Sequence, residues 1–103
     1  MVADIFRMSE GNVPLLVNMP HLGTAIPTEI ADRMTDIGRS SIDTDWHLDL
    51  LYNFLADLGA WTMAARHSRY VVDVNRHPDN VQLYANMRTP GLVPIETFHD
   101  EPL

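Results

Sequence analysis

The sequence predicts an α/β fold in which a sheet is covered by helices, and three observations predict it. Apolar runs of strand length recur at Leu15 to Asn18, Trp61 to Ala65 and Tyr70 to Val74. Between the first two, Leu50, Leu51, Phe54, Leu55 and Leu58 recur at helical spacing. Two of the three runs then end in polar chemistry, His21 between Pro20 and Gly23 in one case and Asp73, Asn75 and Arg76 in the other.

Each element has a local reason. Residues 1–12 are mixed and end in the turn signal Glu10-Gly11-Asn12, which predicts a terminal arm or an edge strand. Leu15 to Asn18, a continuous apolar run between Pro14 and Pro20, reads as a strand. After the Gly23 turn, Pro27-Thr28-Glu29 opens a short helix to about Met34, with Thr28 as N-cap. Residues 38–41 read as loop. The clearest helix runs from about Asp45 to Leu58: Asp43 or Thr44 can cap it, Asp45 and Asp49 suit its positive end, and Gly59 supplies a left-handed stop. Trp61 to Ala65 is a strand, Arg66-His67-Ser68 a turn, and Tyr70 to Val74 another strand. From 78 to 103 the chain is irregular, punctuated by Pro78, Pro90, Pro94 and Pro102, which leaves few elements for the second face of the sheet.

Composition narrows the function. The chain of 103 residues is long enough for one modest core, and 46% hydrophobic with 20% charged residues is a globular balance. The formal charge is −7, and all seven basic residues are arginines. Without a basic face, nucleic acid and anionic membrane surfaces are excluded as partners, whereas a small anion gripped by convergent arginines fits. The absence of cysteine excludes disulfides and thiolate metal sites. No run of 18 apolar residues and no basic, apolar leader occurs, so a cytoplasmic location is expected.

The candidate functional residues cluster at the strand tips. Asn75 and Arg76 suit a carboxylate, because arginine offers a planar fork of donors and asparagine an adjustable amide. His21, held on a tight turn, reads as a metal ligand or general base, or as an ordinary hydrogen-bonded loop histidine. Asp45 could complete a metal site with it, although Asp43 and Asp45 serve equally as helix caps. His47, two positions on, faces another side of the helix. Arg66, Arg69 and Arg76 bracket one strand and could be surface ion pairs. Asp73 orients Arg76 or stands behind a metal-bound histidine. Trp46, Trp61 and Tyr70 read as core.

Together, Val17-Asn-Met-Pro-His21-Leu-Gly23, Asp43-Thr-Asp45-Trp-His-Leu-Asp49-Leu-Leu51-Tyr52 and Ser68-Arg69-Tyr70-Val-Val-Asp73-Val-Asn75-Arg76 resemble the N-formylglutamate amidohydrolase (N-formylglutamate deformylase) family. The tail, with Leu83-Tyr84, Thr89-Pro-Gly-Leu92-Val-Pro94 and Phe98, extends the resemblance over nearly the whole chain. It implies a mixed sheet flanked by helices, like the zinc carboxypeptidases and aspartoacylases, and hydrolysis of N-formyl-L-glutamate to formate and glutamate during histidine breakdown. It further implies a divalent metal, zinc by analogy, held by His21 and Asp45, with Asn75 and Arg76 gripping a substrate carboxylate and Arg69 supporting anion binding. Where the zinc-peptidase pattern carries a glutamate three residues after its first histidine, Thr24 stands here, so the carboxylate ligand is assigned to Asp45. Members of the family are more than twice as long, so residues 1–103 are expected to be the N-terminal part of a single domain, with the general base beyond Leu103. Two other readings share these residues: a metal-dependent hydrolase of another N-acyl amino acid, and a non-catalytic carboxylate-binding module.

Overall fold

The computed structural model describes residues 5–82, 84 and 91–103. Its frame is a three-stranded mixed sheet in the order β1-β3-β2, where β1 is Phe6–Ser9, β2 is Leu16–Met19 and β3 is Trp61–Ala65. β1 runs antiparallel to β3, pairing Phe6 with Ala65 and Ser9 with Thr62. β2 runs parallel to β3, pairing Leu16 with Trp61 and Met19 with Ala64. The parallel pair brings the carboxyl ends of β2 and β3 to one edge, where open α/β sheets place their ligands. Beyond that edge the two chains stay together: the Ala25 N–H donates to the Arg66 carbonyl (3.0 Å) and the Ser68 N–H to the Ala25 carbonyl (2.9 Å). Gly23 makes this approach possible, since a Cβ there would lie 2.4 Å from the His67 carbonyl oxygen.

The helical elements are short. α1 is Thr28–Ala31, α2 is Asp36–Ser40 and α3 is Leu48–Leu51, followed by a 3-10 turn at Asn53–Leu55. Among the described residues, the buried apolar side chains are Met19, Leu55, Ala60, Ala64 and Tyr70. Met19, Leu55, Ala60 and Ala64 line a cavity of about 230 Å³ between the sheet and the 3-10 turn. On the opposite sheet face, Phe6, Met8, Trp61 and Met63 are only partly buried and Leu16 is exposed.

Several elements follow expectation. The edge strand appears within the N-terminal arm, β3 has the expected bounds, and Gly59 is left-handed (φ 73°). Five expectations are overturned. The helix over 45–58 is broken into α3 and the 3-10 turn. Its start is delayed because the Asp45 N–H donates to the His21 carbonyl (2.9 Å) and His47 takes a left-handed conformation (φ 61°). Apart from Leu55, its apolar face gains no cover among the described residues, and short helices draw most of their stability from such packing. Leu50, Leu51, Phe54 and Leu58 are accordingly exposed. The strand over 70–74 is instead a series of turns, because polar side chains capture its backbone donors: Ser68 Oγ takes the Tyr70 N–H (3.2 Å) and Asp73 Oδ1 the Asn75 N–H (3.0 Å). The loop over 38–41 is largely α2, capped by Thr35 Oγ1, which accepts the Gly38 N–H (3.1 Å). Thr28 is the first helical residue of α1, not its cap. Trp46, expected in the core, is exposed.

In the tail, the Asp73 N–H donates to the Leu92 carbonyl (2.7 Å) and the Thr35 hydroxyl to the Pro102 carbonyl (2.8 Å), drawing residues 92–103 back across the sheet edge. Of the tail residues that carry the family resemblance, Leu83, Thr89 and Pro90 lie outside the described residues.

Candidate metal and carboxylate site

The site is organised by Asp73, whose side chain is completely buried. A buried carboxylate is costly unless its oxygens are filled. Here Oδ1 accepts from His21 Nε2 (2.6 Å) and from the Asn75 N–H (3.0 Å). Oδ2 accepts from Arg69 Nη2 (3.2 Å), with Arg76 Nη2 at 3.8 Å. Burial alone would raise the Asp73 pKa, but the His21 hydrogen bond, the Asn75 N–H and the electrostatic attraction of the His21 ring and the Arg69 guanidinium outweigh it and hold the pKa at about 2. The group is therefore a carboxylate at any ordinary pH.

His21 is itself buried at the tip of β2. Because Nε2 donates to Asp73, Nδ1 is the nitrogen left with a lone pair, and it faces Asp45 Oδ2 at 3.9 Å. Bonds of about 2.0 to 2.2 Å let one zinc ion span two ligand atoms up to roughly 4 Å apart. The donor set, an imidazole oriented by a buried carboxylate beside a half-exposed aspartate, suits such an ion as two of its ligands. Among the described residues no group of three or more His, Asp or Glu side chains is placed to hold a metal. Thr44 Oγ1, next to Asp45 in sequence, is buried without a hydrogen-bond partner among the described residues.

The remaining candidates separate. Arg76 lies beside Asp73 with its Nη1 donating to the Asn75 carbonyl (2.8 Å), and the Asn75 side chain is exposed. Arg69, expected to support binding of an external anion, is buried, and the anion it binds is Asp73. Its Nη1 also donates to the Asp43 carbonyl (3.3 Å), and its guanidinium stacks 4.7 Å from the centre of the Phe98 ring. His47 is exposed and outside the cluster.

The sequence profile of the N-formylglutamate amidohydrolase family matches residues 13–103. The chain belongs to this family. It is 43% identical over 99 residues to an N-formylglutamate deformylase of Pseudomonas putida, covering 96% of this chain and 37% of that protein. A second relative of the same name, from Pseudomonas aeruginosa, is 43% identical over 100 residues, again covering 37% of its length. The chain thus spans a little over one third of these amidohydrolases. A solved structure of the N-formylglutamate amidohydrolase of Ralstonia eutropha JMP134 has a TM-score of 0.68 over 88% of this chain and 37% of its own, at 24% identity, which shows a shared fold.

Within this family member, Asp43 is a site residue that sequence reasoning left as a helix cap. Its Oδ2 accepts the Tyr70 hydroxyl (2.5 Å) and the Phe98 N–H (3.0 Å). Burial and the Asp43 carboxylate both push the Tyr70 hydroxyl pKa well above its ordinary value, so it stays a donor. Ser41 Oγ donates to Ser68 Oγ (3.0 Å). The loop carrying Asp45 is therefore pinned at Ser41, Asp43 and Asp45. The signal is the acid pair of Asp43-Thr44-Asp45 itself, since a helix needs one cap and the pair holds one acid more than capping requires.

Proposed function

We propose that this chain supplies the metal-binding and substrate-carboxylate-binding part of a hydrolase that cleaves N-formyl-L-glutamate to formate and L-glutamate, as the names of its relatives suggest. We further infer that it is the N-terminal part of a single amidohydrolase domain of zinc carboxypeptidase type, cytoplasmic and acting in histidine breakdown. One observation carries the reading: His21 has one nitrogen tied to a fully buried carboxylate and the other facing Asp45, beside Asn75 and Arg76. Among the described residues no helix is long and apolar enough to cross a membrane.

In this reading His21 Nδ1 and Asp45 Oδ2 would hold a divalent metal, zinc by analogy with the zinc carboxypeptidases. When bound, such an ion polarises a carbonyl oxygen and acidifies a water. The chain's own residues do the rest of its share. Asp73 keeps the proton on His21 Nε2 and the lone pair on Nδ1, so the ligand is preset. Asn75 and Arg76 hold a carboxylate of the substrate and so fix the formamide relative to His21 and Asp45.

The test is a chimera in which this chain replaces the matching segment of the Pseudomonas putida relative, assayed for formate release from N-formyl-L-glutamate. A folded chimera should hydrolyse it, and Arg76→Lys should lower kcat/KM by about 30-fold, the equivalent of about 2 kcal/mol for a charged, desolvated hydrogen bond. A folded but inactive chimera removes the deformylase reading, and an unchanged kcat/KM in Arg76→Lys removes Arg76 from the substrate site.

A further inference from the structure

We propose that Arg69 is a positioning residue that fixes the orientation of His21 by clamping Asp73, and that the Phe98 arm of the tail holds Arg69 in place to do so. The inference deepens the proposed function and takes its purpose from the reading of His21 as a metal ligand, but its test does not depend on that reading.

The argument follows the hydrogen bonds inward. A carboxylate that holds a histidine by one oxygen can still rotate about its Cβ–Cγ bond, and rotation would carry Oδ1 away from Nε2. The Asn75 N–H on Oδ1 (3.0 Å) limits that rotation, and Arg69 Nη2 on Oδ2 (3.2 Å) completes the restraint by holding the second oxygen as well. Arg76 is farther from the same oxygen, at 3.8 Å, and leaves the direct hydrogen bond to Arg69. The clamp works only if Arg69 is itself immobile, and three contacts make it so. Its Nη1 donates to the Asp43 carbonyl, its guanidinium carbon lies over the Phe98 ring, and Phe98 is anchored by its own N–H on Asp43 Oδ2. Arg69 is buried throughout, so it is not presented to an external ligand. A lysine would keep the charge beside Asp73 but lose both the second donor and the stacking plane.

The experiment reads the His21 Nε2–H directly. The chain, free of metal and substrate, is labelled with ¹⁵N-histidine, the His21 signal is assigned by its loss in His21→Gln, and exchange of the Nε2 proton with water is measured by saturation transfer. Arg69→Gln should speed that exchange by about tenfold or more, while the backbone amide of Ala64 in the sheet is unchanged. Arg69→Lys should restore part of the protection. Phe98→Leu keeps every polar contact of Arg69 and removes only the ring, and should speed exchange about threefold. Unchanged His21 exchange in a folded Arg69→Gln overturns the proposal; where that variant does not fold, an unchanged rate in Phe98→Leu does so. An inactive but folded chimera together with accelerated exchange in Arg69→Gln would remove the deformylase reading and leave the clamp standing. An active chimera with unaltered exchange would do the reverse.

Discussion

The sheet edge built from residues 19–25, 41–45 and 66–73 and the helical segment 46–58 obey opposite rules of burial. At the edge, the largest fully buried side chains are Asp73 and Ser68, while in the helical segment Leu50 and Leu51 are 66% and 68% exposed. Polar groups are inside and leucines outside. The difference teaches that burial here follows the supply of partners: Asp73 receives three hydrogen bonds and the Arg76 ion pair, whereas Leu50 and Leu51 have no apolar cover among the described residues. A polar residue with both oxygens hydrogen-bonded is stable in the interior, and an apolar stripe without a counterpart cannot hold a long helix together.

The comparison can be broken most forcefully at Asp73. Asp73→Ala leaves Arg69 buried without its counter-charge and should cost about 3 to 5 kcal/mol, read as a lowered urea midpoint at constant m-value. A loss below about 1 kcal/mol would mean that the edge does not depend on its polar centre. Acid should act on the same group more gently. The folded pKa of Asp73 lies at about 2, below the ordinary 3.8, so the stabilisation is fully present above pH 4 and is lost as the pH falls through 2. Roughly 2 kcal/mol is at stake, and a curve of unfolding free energy against pH that is flat across this window would contradict the assignment. The smallest effect belongs to the other region. Leu51→Gln should change stability by no more than about 0.5 kcal/mol in the same urea titration, and a larger loss would show that the segment has an apolar partner after all.

These two regions also mark how far the sequence was legible. The strands at Leu16–Met19 and Trp61–Ala65 were readable because continuous apolar runs between turn residues leave few alternatives. His21, Asp45, Asn75 and Arg76 were readable as polar residues at element ends, and the structure brings His21 and Asp45 to 3.9 Å. The helix over 45–58 was misread because periodicity reports which residues could share a face and says nothing of whether anything covers it. Tyr70 to Val74 was misread because strand propensity ignores side chains that capture nearby N–H groups, as Ser68 and Asp73 do. The burial of Arg69 against Asp73 was not legible, because a charge pattern does not distinguish an arginine facing a ligand from one facing an internal carboxylate four residues away.

The order of strands in the sheet has a consequence for how the molecule assembles. β3 is central, yet it is the last of the three along the chain, and β1 and β2 each pair only with it. No strand pairing can form until Trp61–Ala65 is available, and every pairing must then close a loop of roughly 40 to 60 residues. Among the described residues the three-stranded sheet therefore has no local hairpin from which to start. Its folding is expected to be slow for its size, and during synthesis the first two strands emerge from the ribosome with their edges open until the third arrives.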